Sequence, residues 1–380
     1  MGHRERVLTA LEHREPDRVP LSMNPTVYAY QRLQEYMGLD VDPNPRVGRW
    51  TDVAVHPVIA EKFGLDVLRV DIGSPRKKLG PTGPNTFCDE WHVSWRKTDL
   101  PGGGYYYEMY QYPLADATLQ DLDDFDWPDP NDEGLYDGIE ESFKEAHEQT
   151  DFAIYTRMGG SVWEQAGYLV GLQRWFLSLA EDPEFATALM TRIAAIQTAI
   201  HTRGLRMVGK YVDILRLSGE DLGTQQGQLI SLPMFRRLVR PHLESTWRVA
   251  KEELLKQNPN GKIFLHSCGS VRPFMKDWAD MGLDILDPIQ PLAKNMDTAA
   301  IKADVGDRLS FHGGIDVQQV LPFGTPLEVR EEVRHRIHDL APGGGYIVSP
   351  SHNVQADVPP ENLIAMRDAV EEFGYYPIAT

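Results

Sequence analysis

Eight short runs of apolar, β-favouring residues punctuate this chain, at 18–23, 66–71, 152–157, 213–218, 262–268, 283–287, 309–315 and 345–349. Between most of them the apolar positions recur at helical spacing, as in 172–178 continuing through 183–203, in 233–257, in 271–281 and in 326–340. Such an alternation leaves few topologies, because successive strands separated by a helix pair in parallel with right-handed crossovers. Eight such units close on themselves. The expected fold is therefore α/β, a (β/α)8 TIM barrel.

The rhythm breaks once. About eighty residues separate the second run from the third, and within them 90–96 and 102–112 alternate like hairpin strands around Gly102-Gly103-Gly104, followed by a Pro- and Asp-rich stretch at 127–132. This reads as a β-rich excursion after the second strand, at about 85–150, inserted in a single domain that spans 1–380. No tandem repeat or low-complexity linker divides the chain. With 380 residues and 42% hydrophobic content it can bury one large core.

A net charge of -18, spread along the chain apart from a local acidic stretch at 121–132, argues for solubility and against nucleic acid as a partner. No apolar run reaches the ~18 residues that span a bilayer, and the polar start with Arg4 and Arg6 lacks a signal core. A cytoplasmic location away from membranes is expected, with Cys88 and Cys268 both reduced. Self-association as a homodimer is left open.

Barrel active sites lie where strands end. Those ends carry Asp71, Arg157, Glu220 with Asp221, His266 with Cys268, Asp287, His312 and His352. Each has an ordinary alternative: Asp71 as a helix cap, Arg157 as an ion-pair partner, Glu220 and Asp221 as solvated loop residues, His312 as a packed histidine. Two glycine motifs carry less. Gly343-Gly344-Gly345 precedes a strand, the wrong side for a phosphate cradle, and Gly313-Gly314 serves equally as a close-approach site or a tight turn.

His266-Ser267-Cys268 closes an apolar run, and residues two apart on a strand face the same way, so the imidazole and thiol can meet one metal ion. His352, at the end of the eighth strand, opens into the same barrel mouth. Three nitrogen and sulfur ligands with one open position are the expected set for a catalytic zinc. Glu220, at the end of the neighbouring fourth strand, would add a carboxylate oxygen. Thiolate, carboxylate and two neutral imidazoles then balance the divalent ion, and an incoming thiolate or alkoxide would displace the carboxylate.

Several segments together carry a resemblance: Pro16-Asp17-Arg18-Val19-Pro20 with Arg14, Asp89-Glu90-Trp91, Pro113-Leu114, Trp127-Pro128, the stretch from Leu217 through Ser218-Gly219-Glu220-Asp221-Leu222 to Gly223, Leu265-His266-Ser267-Cys268-Gly269, and His312-Gly313-Gly314-Ile315-Asp316. Over nearly its whole length the chain resembles the uroporphyrinogen decarboxylase superfamily. The His-x-Cys motif is similar to that of its zinc-dependent methyltransferases, which exchange methyl groups with corrinoid proteins. The resemblance implies zinc, and a third ligand where that branch usually has a cysteine near the last strand. Here the matching stretch Ser349-Pro350-Ser351-His352-Asn353 offers His352. An imidazole in place of a thiolate raises the metal's charge and Lewis acidity, favouring a harder oxygen group.

The resemblance also implies a reaction: zinc polarises the heteroatom of a small methylated O-, N- or S-substrate, and the methyl group passes to or from a corrinoid protein or a thiol. No Asp-x-His-x-x-Gly signature is present, so the corrinoid belongs to a separate partner. Glu220, Asp221, Asp71, Arg157 and His312 are the candidate catalytic residues. Decarboxylation of a different small carboxylate is the alternative. Porphyrinogen decarboxylases clamp substrate carboxylates with an Arg-rich segment after the first strand, where this chain reads Ser22-Met23-Asn24-Pro25-Thr26-Val27-Tyr28. A noncatalytic small-molecule-binding barrel is the third reading. The tyrosines at 105–107, 110 and 112 are expected to pack across the hairpin, with the pocket rim as their other use.

Overall fold

A parallel barrel builds its interior from alternate residues of every strand, and the apolar runs of this chain supply them. The computed structural model describes residues 1–380 except 48–49, 78–79, 101–102 and 379–380. Its strands, in chain order, are β1 (Val67–Arg69), β2 (Gly80–Gly83), β3 (Thr86–Cys88), β4 (Ser94–Asp99), β5 (Tyr105–Gln111), β6 (Ala153–Arg157), β7 (Ile214–Gly219), β8 (Lys262–His266), β9 (Ile285–Ile289), β10 (Ser310–Ile315) and β11 (Tyr346–Pro350). A curled seven-stranded sheet runs β1-β6-β7-β8-β9-β10-β11, with every pairing parallel.

The segment 20–22 occupies the remaining gap. Ser22 N–H donates to Val348 O at 2.8 Å, Val348 N–H to Pro20 O at 2.9 Å, and Asp66 N–H to Leu21 O at 2.8 Å. The fold is thus a TIM-type barrel whose first position is one bridged residue, Leu21 against Val348, in place of the full strand expected at 18–23. The reason is local. Pro20 has no N–H to give, and the Val19 N–H goes to Gly374 O outside the ladder.

Inside the ring, Ala153, Ile214, Phe264, Ile285 and Ile347 form an apolar layer, closed from the N-terminal end by Val7 and Leu11 of the helix His3–Leu11. That helix has nine residues and no side-chain cap, so it would be marginal alone. Burying Val7 and Leu11 is worth roughly 3–6 kcal/mol together, which outweighs that weakness. The opposite strand faces, with Leu215, Leu265, Leu286 and Phe311, pack outward against the surrounding helices. Above the apolar layer the interior turns polar, with Arg69, Arg216, His266, Asp287, His312 and Ser349 around a cavity of about 60 Å³.

The excursion is an antiparallel sheet, β2-β3-β4-β5. The expected hairpin corresponds to β4 and β5, but it begins later than 90–96 because Asp89 organises a turn: its Oδ1 accepts Trp91 N–H at 2.9 Å and Val93 N–H at 3.0 Å, and its Oδ2 accepts Trp95 Nε1 at 2.7 Å. Gly102 of the expected turn lies outside the described residues. The Gly- and Pro-bearing β2 and the three-residue β3 were not expected. Trp95 is fully buried and meets Trp50 and Tyr168 edge-on at 5.6 and 5.9 Å, tying this sheet to the barrel. Tyr105 and Tyr107 pack on each other at 5.4 Å, while Tyr106 accepts a bond from Gln355 Nε2 at 2.5 Å and so reaches the barrel mouth.

Among the helices, Pro326–Leu340 matches its expected span and starts with a Thr325–Glu328 capping box. The long helix expected from 172 to 203 is two, Leu172–Glu181 and Pro183–Val208, because Asp182 leaves helical geometry and caps the second. Among the described residues no helix is long and apolar enough to cross a membrane.

Candidate metal centre

The apolar run of β8 carries the chain to its end with period 2, and Ser267 then fixes how the chain leaves. Its hydroxyl donates to Glu220 O at 2.6 Å and its N–H to Asp287 O at 2.6 Å, pinning the turn to both neighbouring strands. Gly269 follows at φ 83°, where a Cβ would lie 2.7 Å from the Gly223 backbone; only glycine lets these two loops touch. His266 and Cys268 are thereby held on one side, with His266 Nε2 3.2 Å from Cys268 Sγ.

His352 joins them from the loop after β11. One ligand atom from each of His266, Cys268 and His352 lies within 4.8 Å of the others, and the two imidazole rings are 5.6 Å apart. One sulfur and two imidazole nitrogens suit zinc and leave a coordination position open. Asp287 stands behind the group: its Oδ2 is 2.5 Å from His266 Nδ1 and its Oδ1 is 2.6 Å from His312 Nδ1. With Nδ1 donating to the carboxylate, His266 presents the Nε2 lone pair toward Cys268, the orientation a metal-binding histidine needs.

The electrostatics favour a cation. Burial pushes the Cys268 thiol well above its ordinary range, and Asp221, Asp287 and Glu164 push it further. Burial and Asp221 also push Glu164 up to about 7. Burial, then His266, brings His352 down to about 4, leaving it a neutral imidazole able to ligate. Although burial opposes ionisation of Asp287, His312 and His266 hold its carboxyl well below the usual range. A metal ion reverses the penalty on the thiolate and draws on the nearby carboxylates.

Glu220 does not join this group. It is 1% exposed, and its two oxygens accept Val162 N–H at 2.7 Å and Trp163 N–H at 2.8 Å, at the start of the helix Trp163–Val170. Both oxygens serve that helix terminus, which corrects the expectation of Glu220 as a fourth ligand. The neighbouring carboxylate faces the centre instead. Asp221 Oδ1 accepts Cys268 N–H at 2.8 Å and lies 4.0 Å from His266 Nε2. Glu164 Oε1 in turn accepts Asp221 N–H at 2.9 Å.

Asp71 and Arg157 come together in an ion-pair cluster. Arg157 donates to Asp71 Oδ2 at 2.9 Å and to Asp52 Oδ2 at 2.8 Å, while Arg69 pairs with the same two carboxylates at 3.2 and 2.5 Å. Against the effect of burial, Arg157 and Arg69 hold Asp71 below its ordinary range and Asp52 at about 2. Both acids are thus ionised partners of arginines. Sequence reasoning overlooked Asp52, Arg69, Glu164 and Arg216; the signal for Arg216 is the inward parity it shares with Ile214 on β7.

The model of the family described as Uroporphyrinogen decarboxylase (URO-D) matches residues 107–373, well over half of the chain. The chain belongs to the uroporphyrinogen decarboxylase family. Curated relatives include the uroporphyrinogen decarboxylase of Alkalilimnicola ehrlichii, 24% identical over 97% of this chain and 94% of that protein. That of Psychromonas ingrahamii is 25% identical over 73% of this chain and 75% of its own length. Among solved structures, a methyltransferase from Methanosarcina mazei covers 98% of this chain and 99% of its own with a TM-score of 0.66 at 18% identity, a likeness of fold. Within this uroporphyrinogen decarboxylase family barrel, the described residues that follow the first strand bring no arginine to the cavity. Ser22, Met23 and Asn24 line it, and Asn24 is held by Asn353 at 2.5 Å and Arg69 at 2.8 Å.

Proposed function

We propose that this family member is a zinc-dependent methyltransferase of the demethylase type, with zinc held by His266, Cys268 and His352. The single observation that carries this reading is the convergence of those three donors within 4.8 Å at the mouth of the barrel. When bound, zinc would supply a Lewis acid that polarises the heteroatom of a small methylated O-, N- or S-substrate. The methyl group would pass between that heteroatom and a corrinoid protein or a thiol acceptor, on a barrel and excursion acting as one domain.

The chain's own residues have distinct parts in this reading. Asp287 fixes the tautomer of His266 and, through its other oxygen, orients His312, whose ring lines the cavity. Asp221 braces the Cys268 backbone and Glu164 braces Asp221, so the turn that carries the thiol is fixed through two carboxylates in series. Tyr106 and Gln355 cover the loop that carries His352. Asp71 and Arg157 are positioning residues within their ion-pair cluster, and Glu220 secures a helix that borders the site.

The decarboxylase reading has its own support in the names of the curated relatives. One experiment separates the two. Zinc-loaded protein is incubated with free cob(I)alamin and a panel of small methoxy, methylamino and methylthio compounds, and methylcobalamin is followed by its absorbance; a panel of small carboxylates, with uroporphyrinogen III beside them, is assayed in parallel for CO2 release. Methylcobalamin formation that is abolished by chelator and restored by zinc is expected. CO2 release that survives chelation, with no methyl transfer, would favour the decarboxylase. Ligand binding with neither reaction and no dependence on zinc would favour a noncatalytic binding protein.

A further inference from the structure

Among the described residues, the cavity inside the barrel is lined by one arginine that has no carboxylate within ion-pair distance. Arg69 and Arg157 share Asp52 and Asp71, two arginines with two carboxylates. Arg216 is in register with Arg157 on the interior face of β7 and lines the cavity, but pairs with neither of those carboxylates. Its Nη1 makes a long hydrogen bond to the Tyr155 hydroxyl at 3.3 Å, and its Nε is buried with no partner. Asp287 lines the cavity too, but both of its oxygens are engaged by His266 and His312. Among the described residues no carboxylate lies within ion-pair distance of Arg216.

A guanidinium held this way is expensive to bury unless a ligand answers it. Its planar fork of donors matches a carboxylate in two-point geometry, and Tyr155 adds a hydroxyl beside it. The placement also relates it to the metal centre. Arg216 is in register with Phe264 on β8, and His266 is the next interior residue along that strand, so the cavity runs from the guanidinium past an aromatic ring to the ligand group.

We propose that Arg216 and Tyr155 form the seat for a single anionic group, and that the substrate is a small monocarboxylate whose carboxylate rests there while its methylated heteroatom reaches the His266–Cys268–His352 end. This rests on the methyltransferase reading for the heteroatom end only. One arginine without an ion-pair partner calls for one acidic group, and a cavity of about 60 Å³ admits a short body against Phe264 and Ile347. A substrate with many carboxylates would find no further free cation among the described residues that line the cavity.

The test is calorimetric titration of propionate and its neutral isostere propionamide into zinc-loaded and chelator-treated protein, with Arg216→Met and Arg216→Lys compared with the parent. Propionate is expected to bind with or without zinc, and propionamide at least about tenfold more weakly. Arg216→Met should lose propionate by about tenfold or more at unchanged zinc content and unchanged melting temperature. Arg216→Lys keeps the charge but not the fork and should fall between, which covers the case in which the methionine variant does not fold. Equal binding of propionate and propionamide, or undiminished propionate binding in both variants, would overturn the seat. If propionate binding instead vanishes on chelation and ignores Arg216, the metal holds the anion and the seat is wrong while the metal reading stands. If no zinc binds but propionate still depends on Arg216, the seat stands and the metal reading falls.

Discussion

Cys268→Ala is expected to lower zinc affinity by about two to three orders of magnitude and to abolish methyl transfer. A complete structural zinc site in a small domain contributes about 10–16 kcal/mol, so each of four ligands carries roughly 2.5–4 kcal/mol, or about 10²–10³ in affinity. Cys268 supplies the sole sulfur of the group and the sole negative charge among its three donors. Its loss leaves two neutral imidazoles with Asp221 nearby at 4.0 Å from His266, a set better suited to weak, exchangeable binding. Competition with a chromophoric chelator reads the affinity directly. Cys88→Ala is the control: Cys88 sits in β3 of the antiparallel sheet and should leave zinc unchanged. Equal retention of zinc by Cys268→Ala and Cys88→Ala would remove the sulfur from the centre.

The second large effect concerns stability. Asp66→Ala is expected to destabilise the protein by about 3–5 kcal/mol, because it removes the acceptor from a buried ion cluster. Asp66 is fully buried, and its carboxylate does four things at once. Oδ1 takes Arg6 Nη1 at 2.6 Å and His3 Nδ1 at 2.8 Å, securing the helix that plugs the barrel. Oδ2 takes the Leu21 N–H at 2.7 Å, pairing with Arg18 at 3.3 Å, and so replaces the ladder bond that the broken first strand lacks. Alanine would leave the Leu21 N–H unanswered and take the buried partner from two largely buried guanidinium groups, leaving Arg6 with Asp17 and Arg18 with Glu371. Urea unfolding should show the loss as a lower midpoint, with Asp66→Asn intermediate because one acceptor remains. A change below about 1 kcal/mol would mean that the barrel closes without this carboxylate.

Much of this architecture was legible in the sequence, for a reason that also explains the failures. Strands β6 to β11 bury both faces, so their apolar runs are continuous and marked by turns on each side. The first strand falls short of 18–23 for one local and one distant reason: Pro20, within the run, has no N–H for the ladder, whereas the Val19 N–H goes to the Gly374 carbonyl, a partner that no local pattern shows. β2 and β3 escape a local pattern because strands of four and three residues are too short to show a period, and β2 also carries glycine and proline.

The site divided in the same way. His266 follows from period 2 on β8, Cys268 keeps to the same side in the turn just beyond the strand because Ser267 pins that turn, and His352 follows from the shared mouth. Glu220 fails because parity does not survive the end of β7. Ser218 adopts φ 101° and the register with β8 shifts between Arg216 and Gly219, so the carboxylate that faces the centre is Asp221 and Glu220 turns to the helix terminus. Asp287 lay at an expected strand end, but its bridge between two histidines depends on three strands meeting. Pairwise geometry of that kind is absent from the spacing of residues along the chain.

The central claim is tested most directly by zinc K-edge X-ray absorption on the purified, zinc-loaded protein. The account predicts a first shell with one sulfur at about 2.3 Å and two imidazole nitrogens at about 2.0–2.1 Å, plus one light oxygen or nitrogen scatterer in the open position. A shell of oxygen and nitrogen alone, or a protein that takes up no stoichiometric zinc, would contradict it.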